Sequence, residues 1–263
     1  MREMNLLGRY SVKNIGFVCL LVFCSGLFAQ DAIPAGTILP VELNSSIRSD
    51  KAKPGQIFSA RVMQEVLLPR GQKIHSGAKV LGYVVAVRSA NDGTGAEITL
   101  RFATLEVGGR RIPVTTSLKA LASMMEVFAA QVPESGPDRG TSEYSWITDQ
   151  IGGVEVNYGS GGAVTHGSYV VGRSVPGGVL ARVSSTPGTR CSGETGDNDG
   201  PQALWVFSSD ACGIYGFPDM SLTHAGRSHP VGEISLQSRT GKLNIRGGSG
   251  MLLRVTNIPD VPK

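Results

Sequence analysis

The sequence predicts an all-β fold: a small β-barrel or sandwich with one short helix, followed by a glycine-rich β region whose last strand is a candidate to close the barrel. Three observations carry this. The chain of 263 residues is 41% apolar but only 17% charged, too apolar for disorder and too poorly charged for a coiled coil. It holds 35 glycines and 14 prolines, the punctuation of short strands joined by turns. Short runs of alternating apolar and polar residues recur along it. The net charge is +4, and residues 1–29 supply half of it through Arg2, Arg9 and Lys13 against Glu3. A nearly neutral remainder argues against a nucleic-acid partner.

The N-terminus reads as a secretory signal peptide over residues 1–29. Arg2, Arg9 and Lys13 form a positive region, Ile15 to Ala29 is apolar, and the polar pair Gln30-Asp31 follows. The competing reading is an uncleaved anchor, because 17 uncharged residues approach the length of a membrane span. Cleavage would remove Cys19 and Cys24 and leave Cys191 and Cys212. In an exported chain two cysteines allow one intramolecular pairing, so a structural Cys191–Cys212 disulfide is expected. Closing a loop of that size stabilises by roughly 3 kcal/mol in the chain-entropy model. The expected location is bacterial periplasm, outer-membrane surface or medium.

Residues 32–117 read as barrel strands. Phe58, Ala60 and Val62 alternate with Ser59, Arg61 and Met63, and Ile98, Leu100 and Phe102 repeat the pattern. Val80 to Val87 is apolar on both faces, which predicts a central strand. Gly108-Gly109 is a hairpin turn, and Pro54-Gly55, Arg70-Gly71 and Asp92-Gly93 are further turns. Leu118 to Gln131 is the expected helix, with Leu118, Leu121, Ala122, Met125 and Phe128 on one face and Thr116 or Ser117 as its cap. With the exposed linker that follows, it occupies residues 118–140. Residues 141–263 hold 21 of the 35 glycines. Strand pieces there are Val154–Tyr158, Ser168–Val171, Val179–Val183, Ala203–Phe207, Glu233–Leu236, Leu243–Ile245 and Met251–Val255. The last is so apolar that it must be buried, and it is suited to cover the edge of the barrel.

Ile33-Pro34-Ala35-Gly36-Thr37-Ile38-Leu39-Pro40 is followed by Ser49-Asp50, Pro54-Gly55, Leu68-Pro69-Arg70-Gly71 and Gly77-Ala78-Lys79-Val80-Leu81-Gly82. This order resembles the C-terminal β-barrel of the TrbI-like proteins of conjugation and type IV secretion, over residues 33–113. The resemblance implies an envelope β-barrel that assembles into a ring. It covers about 80 residues, and the glycine-rich half has no counterpart in it. A barrel module reused in another envelope protein is therefore the expectation, with other envelope proteins or a second copy as partners and with peripheral membrane association.

No catalytic motif survives inspection, and no enzyme activity or cofactor is expected. The stretch Cys191 to Pro201 echoes a serine-protease motif, but Asn198 stands where the nucleophile belongs. Glu194, Asp197 and Asp199 are the candidate metal ligands, hard oxygen donors suited to Ca²⁺, with a solvated acidic turn as the alternative. Asp219, His224 and His229 lack the spacing of one helix or strand face for Zn²⁺. Gly159 to Gly162 and Gly247 to Gly250 lack the residues of a phosphate loop. Trp146, Trp205 and Tyr215 are the candidate ligand-binding aromatics, for a glycan or peptide, with core packing as the alternative. The expected function is thus a non-catalytic envelope module, with a secreted glycan- or peptide-binding protein as the second reading and an unrecognised enzyme as the third.

Overall fold

A computed structural model describes residues 32–90, 94–132, 146–153, 155–158, 162–183 and 200–256. The predicted signal segment, Cys191 and the acidic residues Glu194, Asp197 and Asp199 lie outside them. In chain order the first strands are β1 (Ile38–Leu43), β2 (Ile47–Arg48), β3 (Ile57–Val62), β4 (Val66–Leu67), β5 (Lys73–Ile74), β6 (Lys79–Arg88), β7 (Glu97–Val107), β8 (Arg110–Pro113) and β9 (Thr116–Ala122). Helix α1 (Met124–Gln131) follows. Next come β10 (Trp146–Asp149), β11 (Glu155–Tyr158), β12 (Ala163–His166), β13 (Tyr169–Val175), β14 (Gly178–Ala181) and β15 (Gln202–Trp205). The chain ends with β16 (Gly213–Tyr215), β17 (Met220–Ala225), β18 (Ile234–Ser238), β19 (Asn244–Ile245) and β20 (Gly250–Val255).

Ten of these strands form a sheet that curls into a half-barrel, in the order β16-β9-β20-β1-β3-β6-β7-β18-β17, with β8 paired to β7. Alternation works as expected: Phe58, Ala60 and Val62 point inward, as do Ile98, Leu100 and Phe102. Phe58 meets Phe102 edge to face at 5.1 Å. β6 is central, between β3 and β7, but only its inward face is buried; Leu81, Tyr83 and Val85 are half-buried. The sheet's far end returns toward β9. At Gly226, φ +81°, an added Cβ would lie 3.1 Å from the Thr116 carbonyl.

The barrel sheet is not confined to residues 32–117. β16, β17, β18 and β20 come from the glycine-rich half, and residues 31–263 form one compact unit. β20 does more than cover an edge. It lies between β1 and β9, with Leu253 opposite both Leu39 and Leu118.

The expected helix over 118–131 is corrected: its first five residues belong to β9. Leu252 pairs with Ala120 and Leu253 with Leu118, so Lys119 is the extra residue of a β-bulge. The bulge resets the side-chain parity. Leu118 and Leu121, three apart, both enter the barrel core, while Ala120 and Ala122 face outward. A helix-like spacing arose from a bulged strand. Lys119 itself is 2% exposed, and its Nζ donates to the carbonyls of Ala211 (2.7 Å) and Ser209 (3.4 Å).

The remaining large sheet is a six-stranded antiparallel meander, β10 to β15 in sequence order. It covers the outer face of β1, β20 and β9. Ile38, Leu252, Ala120 and Ala122 meet Val156, Val164, Val179, Leu204 and Phe207 there, forming a second core. This explains why β9 and nearly all of β1 and β20 are buried on both faces. Gln64, fully buried, fastens the junction. Its Oε1 accepts from the Trp205 N–H (2.7 Å) and its Nε2 donates to the Val179 carbonyl (3.1 Å). Trp205 is held at φ +53° beside a register shift between β14 and β15, a conformation that a non-glycine residue keeps only when its surroundings over-determine it.

Candidate functional site

Three chain turns meet at the start of α1. Ser123 caps the helix: its Oγ accepts from the Glu126 N–H (3.3 Å) and its carbonyl from the Val127 N–H. Ser123-x-x-Glu126 spells a capping box, in which the glutamate would reach back to the cap's own N–H. Here that N–H donates to the Tyr215 carbonyl at 3.0 Å instead. The Glu126 carboxylate is left to line the cavities on either side of the helix.

Val127 is the side chain of α1 buried in the second core, whereas Met125 is 60% and Phe128 61% exposed. The shared apolar face expected for Leu118, Leu121, Ala122, Met125 and Phe128 therefore does not exist. The strand points its leucines into the barrel, and the short helix points Met125 and Phe128 outward.

Beside the helix lies a cavity of about 310 Å³. Met124, Met125 and Phe217 line it with apolar surface, and Arg246, Ser249 and Glu126 contribute polar groups. A neighbouring cavity of about 380 Å³, lined by Ile214, Pro218 and Met220, shares Gly216 and Phe217 with it. Gly216 sits at φ +69°, and an added Cβ would lie 2.3 Å from Ser123 Oγ, so the β16–β17 turn can approach the helix only as glycine. Ser249 is fully buried. Its N–H donates to the Arg246 carbonyl and its carbonyl accepts from the Leu43 N–H, but its Oγ has no hydrogen-bond partner.

The aromatic candidates part company. Trp205 is 3% exposed, inside the second core and 6.2 Å from Phe207, so its ring offers no open face to a ligand and that expectation is corrected. Tyr215 is half-buried, and its hydroxyl both accepts from the Cys212 N–H and donates to the Cys212 carbonyl, at 2.9 Å each. Trp146 opens β10, and its side chain lies outside the description. Cys212 is buried. Burial pushes the Tyr158 phenol above its ordinary range.

His224 is engaged at both ring nitrogens, Nδ1 with the Glu233 carbonyl (2.5 Å) and Nε2 with Ser228 Oγ (3.1 Å). Among the described residues no three His, Cys, Asp or Glu side chains converge in a way that could hold a metal. Also among them, no helix is long and apolar enough to cross a membrane.

The cavity residues escaped sequence reasoning because they are distant in the chain. Only the Ser123-x-x-Glu126 spacing, readable as a helix start, could have marked one wall. Comparison with family models, curated proteins and solved structures finds no match.

Proposed function

We propose that the chain is an exported, non-catalytic β-barrel protein of the cell envelope, acting as a structural or interaction module. The observation that carries this reading is the exposed apolar surface of α1. Met125 and Phe128 project outward next to a cavity walled by Met124 and Phe217. Large apolar side chains grouped on a surface mark contact sites more often than isolated ones do. The TrbI-like order of residues 33–113 supports an envelope setting and a ring of copies or a complex with other envelope proteins. A Cys191–Cys212 disulfide fits an oxidising compartment. Peripheral membrane association belongs to the same proposal, and nucleic acid does not.

The test is the native mass and envelope fraction of the untagged protein after gentle detergent extraction. A large assembly in the outer-membrane fraction supports the proposal, and its loss in Met125→Ser with Phe128→Ser would place α1 in the contact. A soluble monomer overturns it. A second reading, a secreted peptide-binding protein, is favoured by the cavity at the start of α1, where apolar and polar groups converge.

A further inference from the structure

We infer that the cavity at the start of α1 binds the C-terminal carboxylate of an apolar peptide. The inference rests on the reading of the chain as an interaction module and names the chemistry of its partner. Four features converge.

First, the helix start offers donors. Ser123 takes the N–H groups of Glu126 and Val127, while those of Met124 and Met125 have no partner within the helix, and the helix dipole favours an anion there. Second, Arg246 stands across the cavity. It is exposed and pairs with no carboxylate among the described residues, and its planar fork suits a carboxylate. Third, and independent of the helix, Ser249 Oγ is fully buried without a partner in the lining. Both backbone polar groups of Ser249 are already bonded within the chain, so its hydroxyl is the polar atom it has left to offer. Buried hydroxyls are seldom left unpaired, and a ligand oxygen would satisfy this one.

Fourth, the remaining wall selects what carries the carboxylate. Met124, Met125 and Phe217 form an adaptable apolar surface suited to an aliphatic side chain. Glu126 places a negative charge in the same lining. Its carboxylate can accept N–H groups from a peptide backbone, which a fatty acid lacks. The volume of about 310 Å³ lies at the lower end of small-ligand sites, enough for a chain end rather than a folded domain.

The experiment uses the mature chain and an N-terminally fluorescein-labelled pentapeptide ending in two leucines, as free acid and as C-terminal amide, read by fluorescence anisotropy. The free acid should bind about tenfold more tightly than the amide. Arg246→Gln and Ser249→Ala should each weaken the acid several-fold. Ser249→Ala should keep or raise the melting temperature, because it removes an unpaired buried hydroxyl, and this separates ligand binding from a purely structural role. Equal binding of acid and amide, no binding below millimolar peptide, or unchanged affinity in Ser249→Ala would each overturn the inference. So would displacement of the peptide by decanoate at equal concentration. Native mass measured on the same samples separates the two proposals. An assembly that persists without peptide binding sinks only the site, and a peptide-binding monomer sinks only the envelope assembly.

Discussion

The half-barrel and the meander are both antiparallel β structure, yet they are assembled in opposite ways. Every strand of the meander pairs with its neighbour in sequence, β10 through β15. The half-barrel joins β1 to β20 and β7 to β18, across most of the chain. Long closures cost entropy before they gain contacts, so the half-barrel needs strong, specific burial to repay them. β3 and β7 send alternate side chains inward and share an aromatic pair, Phe58 with Phe102. The meander manages with short, glycine-broken strands because its hairpins form locally and then share one face with the barrel. β9, β20 and β1 belong to both cores, so neither region is complete without them.

The sharpest way to break this comparison is to empty each core in turn. Phe102→Ala in the barrel and Phe207→Ala in the second core should each cost about 3–5 kcal/mol, measured by urea denaturation. Because three strands are shared, each variant should still unfold in a single transition. Two transitions in Phe207→Ala would show the meander to be independent.

Gln64→Leu tests the fastening between the regions. It leaves the Trp205 N–H and the Val179 carbonyl without partners, with an expected loss of about 2–4 kcal/mol. Hydrogen exchange should rise first at Trp205, whose N–H loses its acceptor, and unchanged protection there would refute the role given to Gln64. Ser123→Ala removes the helix cap, for about 1 kcal/mol. Its effect should be read as increased exchange in α1, with the barrel strands unaffected.

The smallest effect is confined to alkaline pH. The Tyr158 phenol has its pKa raised in the fold by burial, so the folded state holds that proton more tightly than the unfolded state does. Its contribution is fully present below the ordinary tyrosine pKa of about 10 and is lost as pH rises through the folded value. Tyr158→Phe should flatten that alkaline fall in stability, and an unchanged slope would assign the fall to other groups.

Much of the barrel was legible because it is written in a period of two. Phe58-Ala60-Val62, Ile98-Leu100-Phe102, the Gly108-Gly109 turn and the apolar terminal strand all read correctly from local pattern. The helix failed for a definite reason. The bulge at Lys119 places Leu118 and Leu121 on one face, and three-residue spacing in a bulged strand is indistinguishable from a helical turn in sequence. β10, β12, β16 and β17 went unread because four-residue or glycine-flanked strands carry too few alternations to stand out. The candidate site was the least legible, since Ser123, Gly216, Arg246 and Ser249 meet only after β9, β16 and β20 have paired.

By itself, then, the sequence determined the fold class, the alternation that fills the barrel and the turns between its strands, because these depend on neighbours in the chain. The tertiary structure alone decided which strands share two cores, that Lys119 is buried, and that a cavity opens at the start of α1. Those outcomes depend on pairings between distant segments, and no local pattern encodes the partner that a strand will meet.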